Sequence, residues 1–316
     1  MAFDKETQIG VVGTGMIGMA MAVLFTGHGY DTYVFSMGPD FTETGLKNYD
    51  NMYQVLKEQG LVTEDQVRQI KAKLHITESY EDMKDVEYVT ESVLERLDVK
   101  TDVYQNLEKY CPKIKAIAST SSAISPDDLI SGADKYADRI VVAHPFNPPH
   151  LVPFVEMVKS AKTDDAAVEY AYNLLESCGR KVCVMKKTAP GFICNRLQHA
   201  LLREAFYMVE QGMCDAREID KALMYSFMPR YTSIGLFEHQ DAAGLDLVSN
   251  IESYLFPDLC DSHEQPPFVA RAVAEGNLGQ KTGKGMYEWD AESKADFAKR
   301  AAAPYWKYYT NGFMDE

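Results

Sequence analysis

Residues 9–18 read Ile-Gly-Val-Val-Gly-Thr-Gly-Met-Ile-Gly, and the fold is decided here. Ile9, Val11 and Val12 form a short apolar run of the kind that fills the centre of a parallel sheet. Gly13, Gly15 and Gly18 follow in the G-x-G-x-x-G spacing. The first glycine permits a tight turn, the second lets the backbone approach a pyrophosphate, and the third lets helix and strand pack closely. From Met16 to Phe25 the chain is almost wholly apolar, which predicts a buried helix whose first residues, Met16 and Ile17, face the phosphates. A second apolar run, Thr32–Phe35, predicts the next strand. A glycine turn in an unrelated α/β domain is the competing reading, and the strand before and helix after the turn weigh against it.

Outward from this turn the first half alternates strand and helix patterns. Residues 41–74 are polar and helical, broken at Gly60 and restarted at Thr63-Glu64-Asp65. Strand patterns recur at Val86–Val89, Ile114–Ala118, Ile140–Ala143, Val152–Val158 and Lys181–Val184, and Asp98–Tyr110 reads as a helix ended by Pro112. The expectation is an α/β fold, a Rossmann-type doubly wound and mostly parallel sheet. Near Lys187 the pattern changes. Pro190-Gly191 precedes a long helix over residues 192–211, stopped by Gly212. Asp215 with Glu218 three residues on predicts a capping box on the next helix. The predicted organisation is a dinucleotide-binding domain over 1–186 and an all-α substrate-binding and dimerisation domain over 187–316, with ligands at the carboxyl ends of the strands. Leu201, Leu202, Ala205 and Met208 share a face of the long helix; that stripe suits burial within the chain or against a second copy, a homodimer.

Bulk properties narrow the function. The 316 residues are 46% hydrophobic and 25% charged, with a formal net charge of −15. Nucleic-acid binding needs a basic footprint and is not expected. No apolar run approaches the roughly 18 residues of a membrane span, so no membrane role is expected. The polar start, Met-Ala-Phe-Asp-Lys-Glu, is not a signal peptide. The six cysteines form no C-x-x-C pair, so no metal site is expected, and reduced thiols in a cytoplasmic protein with a small-molecule substrate are the expectation.

Four polar residues stand out. Ser121 and His144 each follow an apolar strand, Glu156 interrupts the apolar run Val155-Glu156-Met157, and Asn195 opens the long helix. Such places collect active-site groups. Alcohol oxidation needs a base for the hydroxyl proton, and histidine titrates near the working pH. A carboxylate on the other ring nitrogen fixes the tautomer and steadies the imidazolium. Glu156 in an apolar strand is costly without such a partner. Ser121 and Asn195 suit hydrogen bonds to the substrate oxygen. Each also has a structural reading: a satisfied histidine, a solvated glutamate, a helix cap, a helix-interior hydrogen bonder.

At these residues the chain resembles the L-3-hydroxyacyl-CoA dehydrogenase family, including its gulonate dehydrogenase, lambda-crystallin and carnitine dehydrogenase relatives. The matching stretches are Gly13–Gly18, Glu95–Lys100, Ser119–Ser122, His144–Pro148, Val155-Glu156, Pro190–Arg196 and Gly279–Tyr287. The resemblance implies His144 as base, Glu156 as its partner, Ser121 and Asn195 as substrate-binding groups, and Glu95, Lys100, Asn147 and Lys281 as cofactor contacts. Three departures matter. Ser36 stands where the family usually has the aspartate that binds the adenosine ribose, which removes a repulsion against NADP; no arginine follows nearby, so NAD is favoured. Gln59 stands where a lysine is expected in the acyl-CoA enzymes, leaving Lys57 as a candidate for the CoA phosphates. Ser119 replaces the usual asparagine at the start of its motif. Arg230, in Met228-Pro229-Arg230-Tyr231, suits a free carboxylate or a surface ion pair. The first expectation is an NAD(H)-dependent enzyme interconverting a 3-hydroxyl and a 3-keto group on a 3-hydroxyacyl-CoA such as 3-hydroxybutyryl-CoA. The alternatives are the same chemistry on a free 3-hydroxy acid or sugar acid, and a non-catalytic crystallin-like protein.

Overall fold

A computed structural model describes residues 3–312. By internal contacts the chain divides into two compact units. One runs to Phe192 and takes the chain back from Ala301; the other is Ile193–Arg300. The return from Ala301 is not announced by any hydropathy pattern in the sequence.

The first unit is built on one eight-stranded sheet: β1 (Ile9–Val12), β2 (Thr32–Phe35), β3 (Leu74–Thr77), β4 (Tyr88–Glu91), β5 (Ala116–Ser119), β6 (Ile140–Pro145), β7 (Phe154–Lys159) and β8 (Lys181–Val184). Their order is β3-β2-β1-β4-β5-β6-β7-β8. All neighbours are parallel except β6 and β7. Both faces are covered, so neighbouring residues on one strand enter different cores. Val11, Tyr88 and Val141 pack in one cluster; Val12, Val89 and Val142 pack in the other. This is why β1 and β4–β6 read as continuous apolar runs rather than alternations. The helices α1 (Met16–Gly27), α2 (Pro39–Glu58), α3 (Glu64–Lys71), α4 (Leu97–Tyr110), α5 (Pro126–Ile130) and α6 (Asp165–Ser177) belong to this unit.

The strand at Leu74–Thr77 is not among the expected ones: the helical stretch is read to Leu74, and nothing is assigned to the three residues after it. It is the edge strand, half-buried throughout, and the apolar–polar alternation of its Leu-His-Ile-Thr sequence is the signal that marks it. The returning chain seals the opposite side of α1. Tyr309 joins the core cluster, the Gly312 N–H donates to the Gly27 carbonyl at 2.8 Å, and Thr310 Oγ1 lies 3.3 Å from His28 Nε2. Close by in sequence to β8, Arg180 is 1% exposed and donates to the carbonyls of Cys178, Pro149 and Val152. It thereby ties the loop after β6 to the start of β8.

The second unit holds α7 (Cys194–Glu210), α8 (Ala216–Tyr225), α9 (Leu236–Ala243), α10 (Leu245–Leu255) and α11 (Pro267–Ala274), and α12 (Ala291–Ala302) crosses its end. It is helical, with two isolated β-bridges, Gly279–Lys284 and Lys284–Glu288. The capping box expected at Asp215 does not form: no side chain caps α8, and the Glu218 N–H bonds the Asp215 carbonyl instead.

Candidate active site

The glycine turn is shaped by contact and by open space. Gly13 has φ +115°, and a Cβ there would meet the Ser92 carbonyl oxygen at 2.3 Å. A Cβ on Gly18 would meet the Gly13 carbonyl oxygen at 2.1 Å. Gly15, by contrast, has nothing within 4 Å of such a Cβ. It is the N-cap of α1, with no side-chain cap and no acid in the first turn. An uncapped helix start under an open glycine is a cradle for an anionic group. The geometry fits the pyrophosphate of a dinucleotide, with Met16 and Ile17 opening the helix beside it.

His144 and Glu156 are brought together by the one antiparallel pairing in the sheet. In the β6–β7 register they are direct partners. A separation of 12 residues in sequence becomes a hydrogen bond of 3.0 Å between His144 Nδ1 and Glu156 Oε2. Glu156 is fully buried, and the His144 side chain is 13% exposed. Phe146 and Phe192 flank the imidazole, with ring centroids at 5.7 and 5.5 Å. The carboxylate accepts from Nδ1–H, which leaves Nε2 as the ring nitrogen with the lone pair.

The ends of β4 and β5 hold a second polar group. Glu95 Oε1 accepts from Ser121 Oγ at 2.6 Å and from the N–H groups of Ser122, Ala123 and Ile124 at 3.0, 2.9 and 3.4 Å. Burial pushes the Glu95 carboxyl up. The hydrogen bonds from Ser121 and Ala123 and the Lys100 charge outweigh burial and hold it below the usual carboxylate range. Ser121 is therefore not a helix cap; Ser125 caps α5, accepting from the Asp128 N–H. Lys100 is 1% exposed, and its ammonium lies 2.8 Å from Glu91 and 3.3 Å from Glu95. Glu91, which sequence reading passed over, is 0% exposed at the end of β4. A glutamate closing an apolar strand is the same signal that marked Glu156, and it was available in the sequence.

The remaining expected residues are spread over both units. Ser36 is buried, donates to the Gly38 carbonyl at 3.0 Å and accepts from Thr42 at 2.8 Å, so its hydroxyl is spent within its own turn. Asn147 is exposed in the loop after β6. Lys57 pairs with Glu64 at 2.8 Å. Asn195, the second residue of α7, Arg230 and Lys281 belong to the helical unit. There Arg230, Ile234, Glu238, His239, Ala242 and Ala243 line a pocket of about 520 Å³. Arg230 donates to His239 Nε2 across it. No cluster of metal-ligating side chains and no helix long and apolar enough to cross a membrane occurs among the described residues.

A doubly wound sheet with an open glycine cradle defines a dinucleotide-dependent oxidoreductase. Comparison with known proteins carries this further. Residues 8–188 match the model of the 3-hydroxyacyl-CoA dehydrogenase NAD binding domain, and residues 191–289 match that of the 3-hydroxyacyl-CoA dehydrogenase C-terminal domain. The chain is 29% identical over 298 residues to 5-formyl-3-hydroxy-2-methylpyridine 4-carboxylate 5-dehydrogenase of Mesorhizobium japonicum, covering 93% of this chain and 94% of that one. It is 36% identical over 223 residues to L-carnitine dehydrogenase of Streptomyces griseus, covering 70% of this chain and 64% of that one. Among solved structures, a 5-formyl-3-hydroxy-2-methylpyridine 4-carboxylic acid 5-dehydrogenase, described as an NAD+-dependent dismutase, superimposes with a TM-score of 0.85 at 27% identity, covering 96% of this chain and 97% of that one. The (S)-3-hydroxybutyryl-CoA dehydrogenase PaaH1 of Ralstonia eutropha gives 0.73 at 26% identity, covering 90% and 99%. The chain belongs to the 3-hydroxyacyl-CoA dehydrogenase family, and is an NAD-dependent dehydrogenase acting on a CH–OH group.

Proposed function

We propose that this enzyme interconverts the hydroxyl and keto forms of a small free hydroxy acid, with His144 as general base and acid. NAD, when bound, exchanges a hydride with the carbinol carbon. Gly13, Gly15, Gly18, Met16 and Ile17 hold its pyrophosphate end in this reading, with Glu95, Asn147 and Lys281 as further residues of the cofactor site. Ser36 and Lys100, whose polar groups are taken up inside the protein, support that site without touching the cofactor. His144 Nε2 takes the hydroxyl proton in oxidation and returns it in reduction. Glu156 fixes the Nδ1–H tautomer and balances the charge of the imidazolium. Ser121 and Asn195 hydrogen-bond the substrate oxygen.

The observation that favours a free acid over a thioester is the state of the cations. On the helix pair where CoA phosphates are expected, Lys57 pairs with Glu64 and Lys71 with Asp50, each at 2.8 Å, and Arg68 pairs with Asp65. Each of these three is matched by an acid in a chain of net charge −15. Among the described residues this leaves Lys47 as the one basic residue of α2 and α3 outside such a pair and weakens the local field for a polyphosphate. Arg230 shares its pocket with His239 and Glu238 among the apolar Ile234, Ala242 and Ala243, and in this reading its guanidinium takes the substrate carboxylate. Relatives named for a pyridine 4-carboxylate and for carnitine fit this reading. The acyl-CoA reading is second, supported by the likeness to 3-hydroxybutyryl-CoA dehydrogenases.

The test is side-by-side turnover of L-carnitine, 3-hydroxybutyrate and L-gulonate against 3-hydroxybutyryl-CoA, with Arg230→Met and His144→Ala alongside wild type. A free acid is expected to turn over, with Arg230→Met raising its KM about tenfold or more and leaving NADH affinity unchanged. His144→Ala is expected to lower kcat by roughly 10²–10⁴-fold. Turnover confined to the thioester sinks the free-acid reading. Undiminished activity without His144 removes the histidine from the mechanism, and no activity on any of the four compounds places the substrate outside both sets and overturns the choice between them.

A further inference from the structure

Glu91 is a carboxylate with every strong hydrogen-bonding position used. Oε1 accepts from Lys100 Nζ at 2.8 Å and from the Val93 N–H at 3.0 Å. Oε2 accepts from Tyr104 at 2.9 Å and from Ser119 at 2.7 Å. A buried carboxylate so satisfied is rigid. Two of its donors lead outward to the same short segment. Lys100 reaches on to Glu95 Oε2 at 3.3 Å, and Glu95 Oε1 gathers the Ser121 hydroxyl and the three N–H groups that follow it. Ser119 Oγ, while donating to Glu91, accepts the Ser121 N–H at 3.3 Å. Glu91 thus holds Ser121 from two sides, by its backbone through one hydroxyl and by its side chain through an ammonium and a second carboxylate.

We propose that Glu91 is a positioning residue: anchored at the end of β4, it fixes Lys100 and Glu95 and so sets the place of Ser121 in the site. Lys100, sealed between two carboxylates, then acts through Glu95. The serine at 119, in place of the asparagine usual in the family, becomes one arm of the device. The inference rests on the reading of Glu95 and Ser121 as site residues.

The experiment uses Glu91→Gln, Glu95→Gln, their double variant, and Glu91→Gln with Lys100→Met, which removes both buried charges together. NADH affinity is read by nucleotide fluorescence, backbone exchange over residues 119–126 by hydrogen–deuterium exchange, and folding by thermal melting. Glu91→Gln is expected to weaken NADH about tenfold and to speed exchange at 121–124. Glu95→Gln does the same, and the double variant is no worse than either, as a single chain of action requires. Glu91→Gln with Lys100→Met regains the melting temperature lost when the buried ammonium keeps only Glu95 as a partner, yet keeps the weak NADH binding and fast exchange. Recovery of both by that pair makes Glu91 a structural residue and overturns the proposal. A Glu91→Gln enzyme that binds like wild type, beside an impaired Glu95→Gln, also overturns it while leaving the site reading intact. Unchanged binding in Glu95→Gln overturns the site reading and the proposal with it.

Discussion

At the scale of single residues, the glycines of the first turn separate folding from binding. Gly13 sits in the left-handed region under a carbonyl, whereas Gly15 has ordinary φ of −66° and open space above it. Gly13→Ala is expected to destabilise the protein by about 3 kcal/mol or more, from strain and overlap together. Gly15→Ala should leave the melting temperature within about 2 °C of wild type and weaken NADH at least about tenfold, because its methyl group fills the cradle rather than the core. Thermal melts and NADH titrations on the two variants check this; a stable Gly15→Ala that binds normally removes the cradle reading. The glycine spacing was readable in the sequence because it is local. The approach of His144 to Glu156 was readable only as an expectation, since a strand pairing had to supply the contact. Glu91 is less legible, because the strand pattern Val86–Val89 ends two residues short of it, with the polar Thr90 between.

At the scale of elements, β6 and β7 show what the pattern conceals. Apolar runs announce buried strands but not their direction, and the one antiparallel pair is the one that builds the histidine–carboxylate pair. The edge strand β3 does alternate, Leu-His-Ile-Thr, but over four residues only and directly after a long polar helical stretch, which hides it. The helix pair α2–α3 carries a testable charge argument. Glu64 is exposed, and its hydrogen bond and pairing with Lys57 pull its pKa down. Exposed pairs of this kind are screened by water and salt and add little to stability. Glu64→Gln with Asp50→Asn is therefore expected to leave stability nearly unchanged while releasing Lys57 and Lys71. If those acids are what deny the helix pair to phosphates, free coenzyme A should compete with NADH turnover more strongly in this variant than in wild type, an effect that fades with added salt. Equal competition in both would show that the pairs have no part in substrate choice.

At the scale of the whole molecule, two buried histidines set the response to acid. Burial, reinforced by Arg180, holds His28 and His150 down at about 4. Both are neutral in the folded chain and charge more readily once it unfolds. Their contribution is fully present above the ordinary value of 6.5 and is lost as pH falls from there towards 4. Full loss amounts to about 3 kcal/mol for each histidine. Urea melts from pH 7 to 4 should show this fall, and His150→Asn should flatten it; a profile flat through that window sinks the assignment. The helical unit raises a different question. No residue of α7–α12 is buried, and Leu197, Met224, Tyr225, Phe237, Leu245 and Tyr254 are each more than half exposed. Helices without an interior need another surface. Light scattering is expected to give twice 35.5 kDa, a homodimer, and a clean monomer at micromolar concentration would reject it. Finally, the chain comes back at Ala301 to cover α1, so the sheet-bearing unit is sewn from two lengths with the helical unit spliced between them. A ribosome releases β8 and then spends on the order of ten seconds on the intervening residues before Tyr309 and Thr310 exist. Throughout that interval the nascent protein lacks the cover over the C-terminal end of α1, beside His28.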